Sequence, residues 1–482
     1  MKIDKALEQR IDQWIADHRD RLVRDTCRLV NIESISDAAS EIKPFGQGCR
    51  DAVDTYLDMG REYGLDARNH DYYVAELFAP GQEKAEKRIG LLAHLDVVPA
   101  GEGWTYPPFA ATVWEGQIIG RGSQDNKGPA MAAMYTVLCL RDLGIPLRHG
   151  LCALAGTNEE SGMADVEYYR ENCPLPTFIL VTDSGFPICY GEKGSMRGSF
   201  HSKEPLSGDV LAFSAGTMTG QVPAAATISL KRTAQREKLL AALPTSPDCS
   251  WRMEGDSIVV DAKGVGGHIS FGGSSRNAAA VLAGFLLENK LLPETDRGAF
   301  AFLRDCAGDA NGNALGIACE DEESGPLVFG CSLARLEEGR LGFSFSSRCP
   351  VSADPHALLE QLEKLAGQKG FCLRDSVASA PHYYPKDKPV IGTLNRVLSD
   401  VTGHEWQPQI FGAGTHARKL PNAVAFGPGG LAPFVPPCGP LPEGHGQAHQ
   451  PDEAQSIDAL CLALKVYILG ILAIDHLDLE RE

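Results

Sequence analysis

A chain of 482 residues is too long for one ordinary hydrophobic core, so two domains are expected. Its 63 Asp and Glu against 45 Lys and Arg give a net charge of −18, which argues against a general nucleic-acid or anionic-membrane binder, because either needs a basic face. The same charge suits a soluble protein that holds a metal or another cation locally.

The first residues, MKIDKALEQRIDQWIADHRDRLVRD, are charged throughout and lack the apolar segment of a signal peptide. Leu7, Ile11, Ile15, Leu22 and Leu29 recur at helical spacing, which predicts a helix over 4–31. Strand-like runs follow in YYVAELFA and RIGLLAHLD. GPAMAAMYTVLCLRDLG reads as a buried helix that starts near Pro129 and ends at Gly144. GLCALAG and TFILVTD are apolar runs of strand length. Strands alternating with helices predict a mostly parallel sheet covered on both faces.

After about residue 190 the texture changes. GSMRGSFHSK, SIVVDAKGVG, PLVFGCSLARL and LGFSFSSRCP alternate apolar with polar, as an antiparallel sheet with one open face does. RNAAAVLAGFLLENK and DPHALLEQLEKLAG are helical. From about 385, VIGTLNRVLSDVTG, NAVAFG and a final apolar helix from roughly 453 return to the first texture. The expected fold class is therefore α/β with an inserted α+β domain: residues 1–190 and 385–482 form one domain and 191–384 the insert. The run LCLALKVYILGILAI falls short of the about 18 apolar residues that span a membrane, and it contains Lys465. Fourteen cysteines are scattered without a C-x-x-C pair, which reads as reduced thiols in a cytosolic protein. FGPGGLAPFVPPCGPLPEGHG is long for a connection and is a functional candidate.

Five short clusters carry acidic or imidazole side chains after strand-like runs. His94 and Asp96 end GLLAHLD; Asp96 is placed to accept the second ring N–H of His94 and fix its tautomer. Asp125 follows a glycine-rich turn just before a helix, where the helix N-terminus favours a carboxylate. Glu159 and Glu160 sit side by side in AGTNEESG, where burial raises the cost of each charge. Asp183 ends TFILVTD, and His449 lies in AHQPDE before the last helix. Each cluster alone has an ordinary structural explanation: a helix cap, a strand-end turn or a hydrogen-bonded histidine. His445, among glycines and prolines, reads as a loop histidine. Together, two imidazoles and three carboxylates suit divalent metals, zinc first, with manganese or cobalt next.

The ordered set AHLDVVPAGEGWTYPPF, GRGSQDNKGP, TNEESG, VTDSGFP, GVGGHIS and AHQPDE resembles the M20 metallopeptidases, and within them the PepV-like and Sapep-like dipeptidases, relatives of carnosinase. The resemblance spans nearly the whole chain, including the inserted lid domain. It implies two divalent ions: His94 and Asp183 on one, Glu160 and His449 on the other, and Asp125 bridging them, with a cis Asp125–Asn126 peptide. It implies Asp96 as support for His94 and Glu159 as general base. From the lid it implies His268 as oxyanion donor and Arg348 as the grip on the substrate carboxylate. Gly414 and Thr415 fall in the family's glycine-rich substrate loop, with His416 and Arg418 beside it. At two positions the chain departs from its relatives. Gly220 stands where close relatives carry a lid asparagine, and Asn126 where a second acidic residue is frequent.

The expected function is cleavage of dipeptides or other short unblocked peptides by metal-activated water. N-acyl-amino-acid deacylation and carboxypeptidase action share the same metal and base residues and remain alternatives. A non-catalytic binding protein is disfavoured, because every metal and base position is filled. No nucleic acid or membrane partner is expected, and a monomer is favoured over a homodimer.

Overall fold

The computed structural model describes residues 4–479, apart from 83–84, 244–245 and 270–274. It divides into two units, Met1–Gly191 with Tyr383–Glu482, and Glu192–His382.

The first unit is built on a nine-stranded sheet. At its centre lie β1 (Arg88–His94), β2 (Gly150–Gly156), β3 (Phe178–Val181) and β4 (Ala423–Ala425), in the order β2-β1-β3-β4 and all parallel. Antiparallel strands flank them, Val74–Phe78 beside β2 and Cys189–Glu192 beside β4. Every residue of β1, β2 and β3 is buried, which explains why these strands read as continuous apolar runs. Three helices supply much of the covering. In α1 (Lys5–Val30), Asp4 caps the first turn, and Ile11, Trp14, Ile15, Leu22 and Leu29 form the buried stripe. In α2 (Gly128–Asp142), residues 128–140 are all buried. The third, α3 (Ile457–Ile474), is capped by Ser456.

The last helix corrects two expectations. It begins at Ile457, not near 453, because Ala454–Ser456 pair as a strand with Gln117–Ile119. Ile457, Asp458 and Ala459 extend the apolar run to 18 residues of mean hydropathy 2.2, so by length and composition it passes for a membrane span. Most of it is buried in the core of this unit, where each fully buried Leu or Ile contributes about 2 kcal/mol. Lys465 escapes burial by pairing with Glu8 and Asp12 of α1.

The second unit is an eight-stranded sheet whose neighbours pair antiparallel. Along Arg340–Cys349 half-buried and buried residues alternate strictly, the period-two signature of a sheet with one covered face. Ala278–Glu288, Glu294–Gly308 and Pro355–Gln368 are its long helices. Phe200, Phe302, Phe343, Phe345 and Phe371 make its aromatic core, with Phe200 stacked on Phe345 at 4.9 Å.

Candidate active site

The parallel register sets the site. His94, the last residue of β1, lies opposite Gly156, the last of β2, and Leu92 lies opposite Val181, the last of β3. The segments leaving these three strands therefore emerge together at their carboxyl ends, where open α/β sheets form their ligand crevices. Glu159 and Glu160 follow β2 within a turn, and Asp183 follows β3 by two residues.

Asp125 stands between two imidazoles. Its Oδ1 is 3.0 Å from His94 Nε2, and its Oδ2 is 3.2 Å from His449 Nε2. His94 Nε2 is also 3.7 Å from Asp183 Oδ1, and His449 Nε2 is 3.0 Å from Glu160 Oε1. Two overlapping sets of ligand atoms converge within 4.8 Å: His94, Glu159 and Asp183, and His94, Asp125 and Glu160. The Asp125–Asn126 peptide is cis, as the family resemblance implies. Asn126 holds a place in the cluster, since its Nδ2 donates to the Thr182 carbonyl and to Asp183 Oδ1, each at 3.1 Å.

The electrostatics show a cluster short of positive charge. Burial and the Asp183 charge push the Glu159 carboxyl well above its ordinary range. Burial likewise raises Glu160, although its bond to His449 opposes this. Hydrogen bonds to Asp125 and Glu160 raise His449 to about 10. Burial works against a proton on His94, but Asp183, Asp125 and Asp96 outweigh it and lift the imidazole well above its ordinary value. The two imidazoles in turn overcome burial to hold Asp125 low. Without a metal, protons occupy the places that cations would take. The donor set, imidazole nitrogen and carboxylate oxygen around one shared aspartate, fits a pair of borderline divalent ions.

One expectation is refined at this point. The ring nitrogen Nδ1 of His94 is 2.9 Å from the backbone carbonyl of Asp96, nearer than the 3.4 Å to its carboxylate. The Asp96 carboxylate also accepts the backbone N–H groups of Glu159 and Glu160, each at 3.1 Å, and so orients the acidic pair. Those two glutamates occupy a turn.

Gly414 and Thr415 line the same cavity, about 680 Å³, as Asp125, Glu159, Glu160, Asp183 and His449. The Pro- and Gly-rich loop supplies another wall, through Leu431, Val435 and Leu441 among others. Thr415 Oγ1 accepts from the Ala417 N–H and caps the short helix His416–Lys419. A Cβ on Gly414 would fall 2.1 Å from the Arg418 guanidinium, the far end of a flexible side chain that would have to move aside. His445 is 2.7 Å from Asp452 and takes no place in the cluster.

His268 and Arg348 belong to the second unit. His268 closes the two-residue strand Gly267–His268, paired with Gln221–Val222, and burial and the Arg348 charge hold its imidazole below the ordinary value. A Cβ on Gly220 would lie 3.9 Å from His268 Nε2. Gly220 also has φ of +77°, a conformation that glycine adopts without strain. Ser270, at the end of the GVGGHIS motif, lies outside the described residues.

Sequence reasoning missed two buried carboxylates. Asp165 accepts from the N–H groups of Thr157 (2.7 Å) and Asn158 (2.8 Å), and from His416 Nε2 at 3.2 Å, which anchors the turn leading to Glu159. A Cβ on Gly156 would meet Asp165 Oδ2 at 2.2 Å, so that glycine permits the approach. Glu453 pairs with Arg121 at 2.6 Å, both essentially unexposed. The signal available was the arginine in GRGSQDN, which must find a carboxylate when buried.

This fold and this convergence of imidazole and carboxylate define a metallopeptidase. The family model for peptidase family M20/M25/M40 matches residues 90–472, and the chain belongs to that family of metal-dependent hydrolases. It is 31% identical over 467 residues to "Putative dipeptidase YtjP" of Bacillus subtilis (strain 168), covering 94% of this chain and 97% of the relative. It is 30% identical over 472 residues to "Beta-Ala-Xaa dipeptidase" of Lactobacillus delbrueckii subsp. lactis, covering 94% and 96%. The fold is shared with human carnosine dipeptidase 1 at a TM-score of 0.57 and 18% identity, over 98% of this chain and 99% of that one.

Proposed function

We propose that this protein is a dipeptidase that uses two divalent ions, zinc first and manganese or cobalt next, held by His94, Asp125, Glu160, Asp183 and His449. The observation that carries the reading is Asp125, whose two oxygens face one imidazole each, with Glu160 and Asp183 against those same imidazoles. Bound there, such ions would supply an acidified water and a Lewis acid for the scissile carbonyl. The chain's own residues do the rest. The Asp96 carbonyl accepts a hydrogen bond from the Nδ1–H of His94 and leaves Nε2 as the ligand atom. Glu159 accepts a proton from the attacking water and delivers it to the leaving amine. His268 serves the oxyanion and Arg348 the terminal carboxylate of the substrate, while backbone N–H groups at Gly414 and Thr415 hold the peptide.

Dipeptides are favoured over acylated amino acids by the two dipeptidase relatives, each matched over 94% of this chain. A cytosolic location agrees with 14 free cysteines. The test is amine release from free dipeptides and from N-acetylated amino acids, with zinc, with manganese and with chelator. Metal-dependent cleavage of the free dipeptides is expected; preference for the acetylated compounds would move the function to deacylation.

A further inference from the structure

We propose that Glu453 is a positioning residue that locks the loop carrying Asp125 onto the segment carrying His449, and so sets the spacing between the two ion positions. The inference rests on the two-ion reading above.

Asp125 and His449 are more than 300 residues apart in sequence, yet their side chains must face each other across about 3 Å. Glu453 joins their two segments. Its Oε1 accepts from the N–H groups of Gln124 and Asp125, both at 2.9 Å. Its Oε2 accepts from the Gly122 N–H at 3.1 Å and from Arg121 Nη1 at 2.6 Å. Its backbone carbonyl takes the Gly120 N–H at 2.8 Å and the Ser123 hydroxyl at 3.1 Å. One residue thus accepts a bond from each of the six residues 120–125. A second tie runs the other way, where Gln124 Oε1 accepts the Ala448 N–H at 2.7 Å, one residue before His449.

This carboxylate is an anchor and not a ligand. It is fully buried, each oxygen already has two donors, and it lies outside both groups of converging ligand atoms. Arg121 is fixed as well, by the Ala100 carbonyl and by the Trp104 ring 5.1 Å away. A buried ion pair is a weak device for stability, since well-packed apolar residues hold a fold at least as well. Apolar side chains cannot take the backbone N–H groups of a ligand-bearing loop, and the Glu453 carboxylate takes three of them. The segment it holds also needs holding, because His449 and Asp452 have φ of +65° and +51°, which non-glycine residues seldom adopt.

The test uses the full-length protein. Wild type, Glu453→Gln and Gln124→Ala are stripped of metal and titrated with zinc by calorimetry. Cobalt-substituted absorption spectra and dipeptide kinetics at saturating metal accompany the titration. An amide has one acceptor oxygen where the carboxylate has two, so Glu453→Gln leaves part of the loop without acceptors. The expected result is one zinc site weakened at least tenfold, within the range for groups that orient ligands. The cobalt spectrum changes, kcat falls, and KM for the dipeptide stays within about twofold. Gln124→Ala removes a single partly buried bond and is expected to fold, with the same site weakened about threefold. A lower melting temperature with unchanged zinc affinities and an unchanged cobalt spectrum would assign Glu453 to stability alone and overturn the proposal. If Glu453→Gln fails to fold, Gln124→Ala decides, and wild-type affinities in it overturn the proposal. A wild-type protein that binds no pair of ions fails the function itself, before any variant is compared.

Discussion

Carboxylates in the two units live under opposite conditions. In the second unit each of several buried or half-buried acids has its own donors. Asp321 accepts from the N–H and hydroxyl of both Ser324 and Ser352, Asp296 from the N–H and hydroxyl of Ser207, and Asp248 from both ends of the Arg276 guanidinium. At the carboxyl ends of β1–β3, by contrast, Asp125, Glu159, Glu160 and Asp183 crowd around two imidazoles, and the crowding lifts those imidazoles and Glu159 above their ordinary values. Donors matched to an acid make structure. Acids gathered without enough donors keep an affinity for cations, and the fold bears the repulsion so that a cation can bind.

The largest effect expected from that contrast is on turnover. Glu159→Gln removes the proton carrier and keeps the neighbouring ligands, so kcat should fall about 10³-fold with metal content unchanged. Near-normal activity in the metal-loaded variant would sink the base assignment. Next in size, chelation should strip stability from the first unit only. A ligand at a hundred times its dissociation constant stabilises by about 2.7 kcal/mol. Hydrogen exchange should therefore quicken around residues 94–96, 123–127 and 157–160 on adding chelator. Protection at 321–324 and 352 should not change, and equal loss in both places would erase the distinction drawn here.

The smallest effect concerns Asp321. Burial opposes its ionisation, but the serine donors hold it down at about 2, from an ordinary 3.8. A depressed folded value means its contribution is present above about pH 4 and is lost as pH falls through about 2. Asp321→Asn should lower the melting temperature by about 2–4 °C at pH 7, the equivalent of roughly 1 kcal/mol after allowance for solvent. The gap between variant and wild type should close as the pH approaches 2. A gap that persists there would show the donors act on packing and not on charge.

Much of this architecture could be read from residue pattern. The apolar runs of β1, β2 and β3 and the helical stripe of α1 are local signals of period and composition, and they reappear at the expected positions. The acidic and imidazole clusters were visible because each follows such a run. What escaped was long-range hydrogen bonding. Glu453 meets its side-chain carboxylate donors 328 to 332 residues away, and His416 meets Asp165 across 251. No periodicity encodes those partners. A second role of Asp96 escaped for a subtler reason: β1 stops at His94, and past its end the Asp96 carboxylate reaches the backbone of the acidic pair. The strand at 454–456 was missed because its three residues pair with a distant strand and merge in sequence with the helix that follows.

The most direct measurement is a zinc titration of the metal-free protein, with proton release followed in two buffers, alongside His94→Ala. Two ions per chain are expected, with protons released because the imidazoles hold them in the metal-free state. His94→Ala should bind at least one ion fewer at the same zinc concentration. A wild-type chain that takes up no zinc, or a His94→Ala chain that binds as the wild type does, would contradict the two-ion centre.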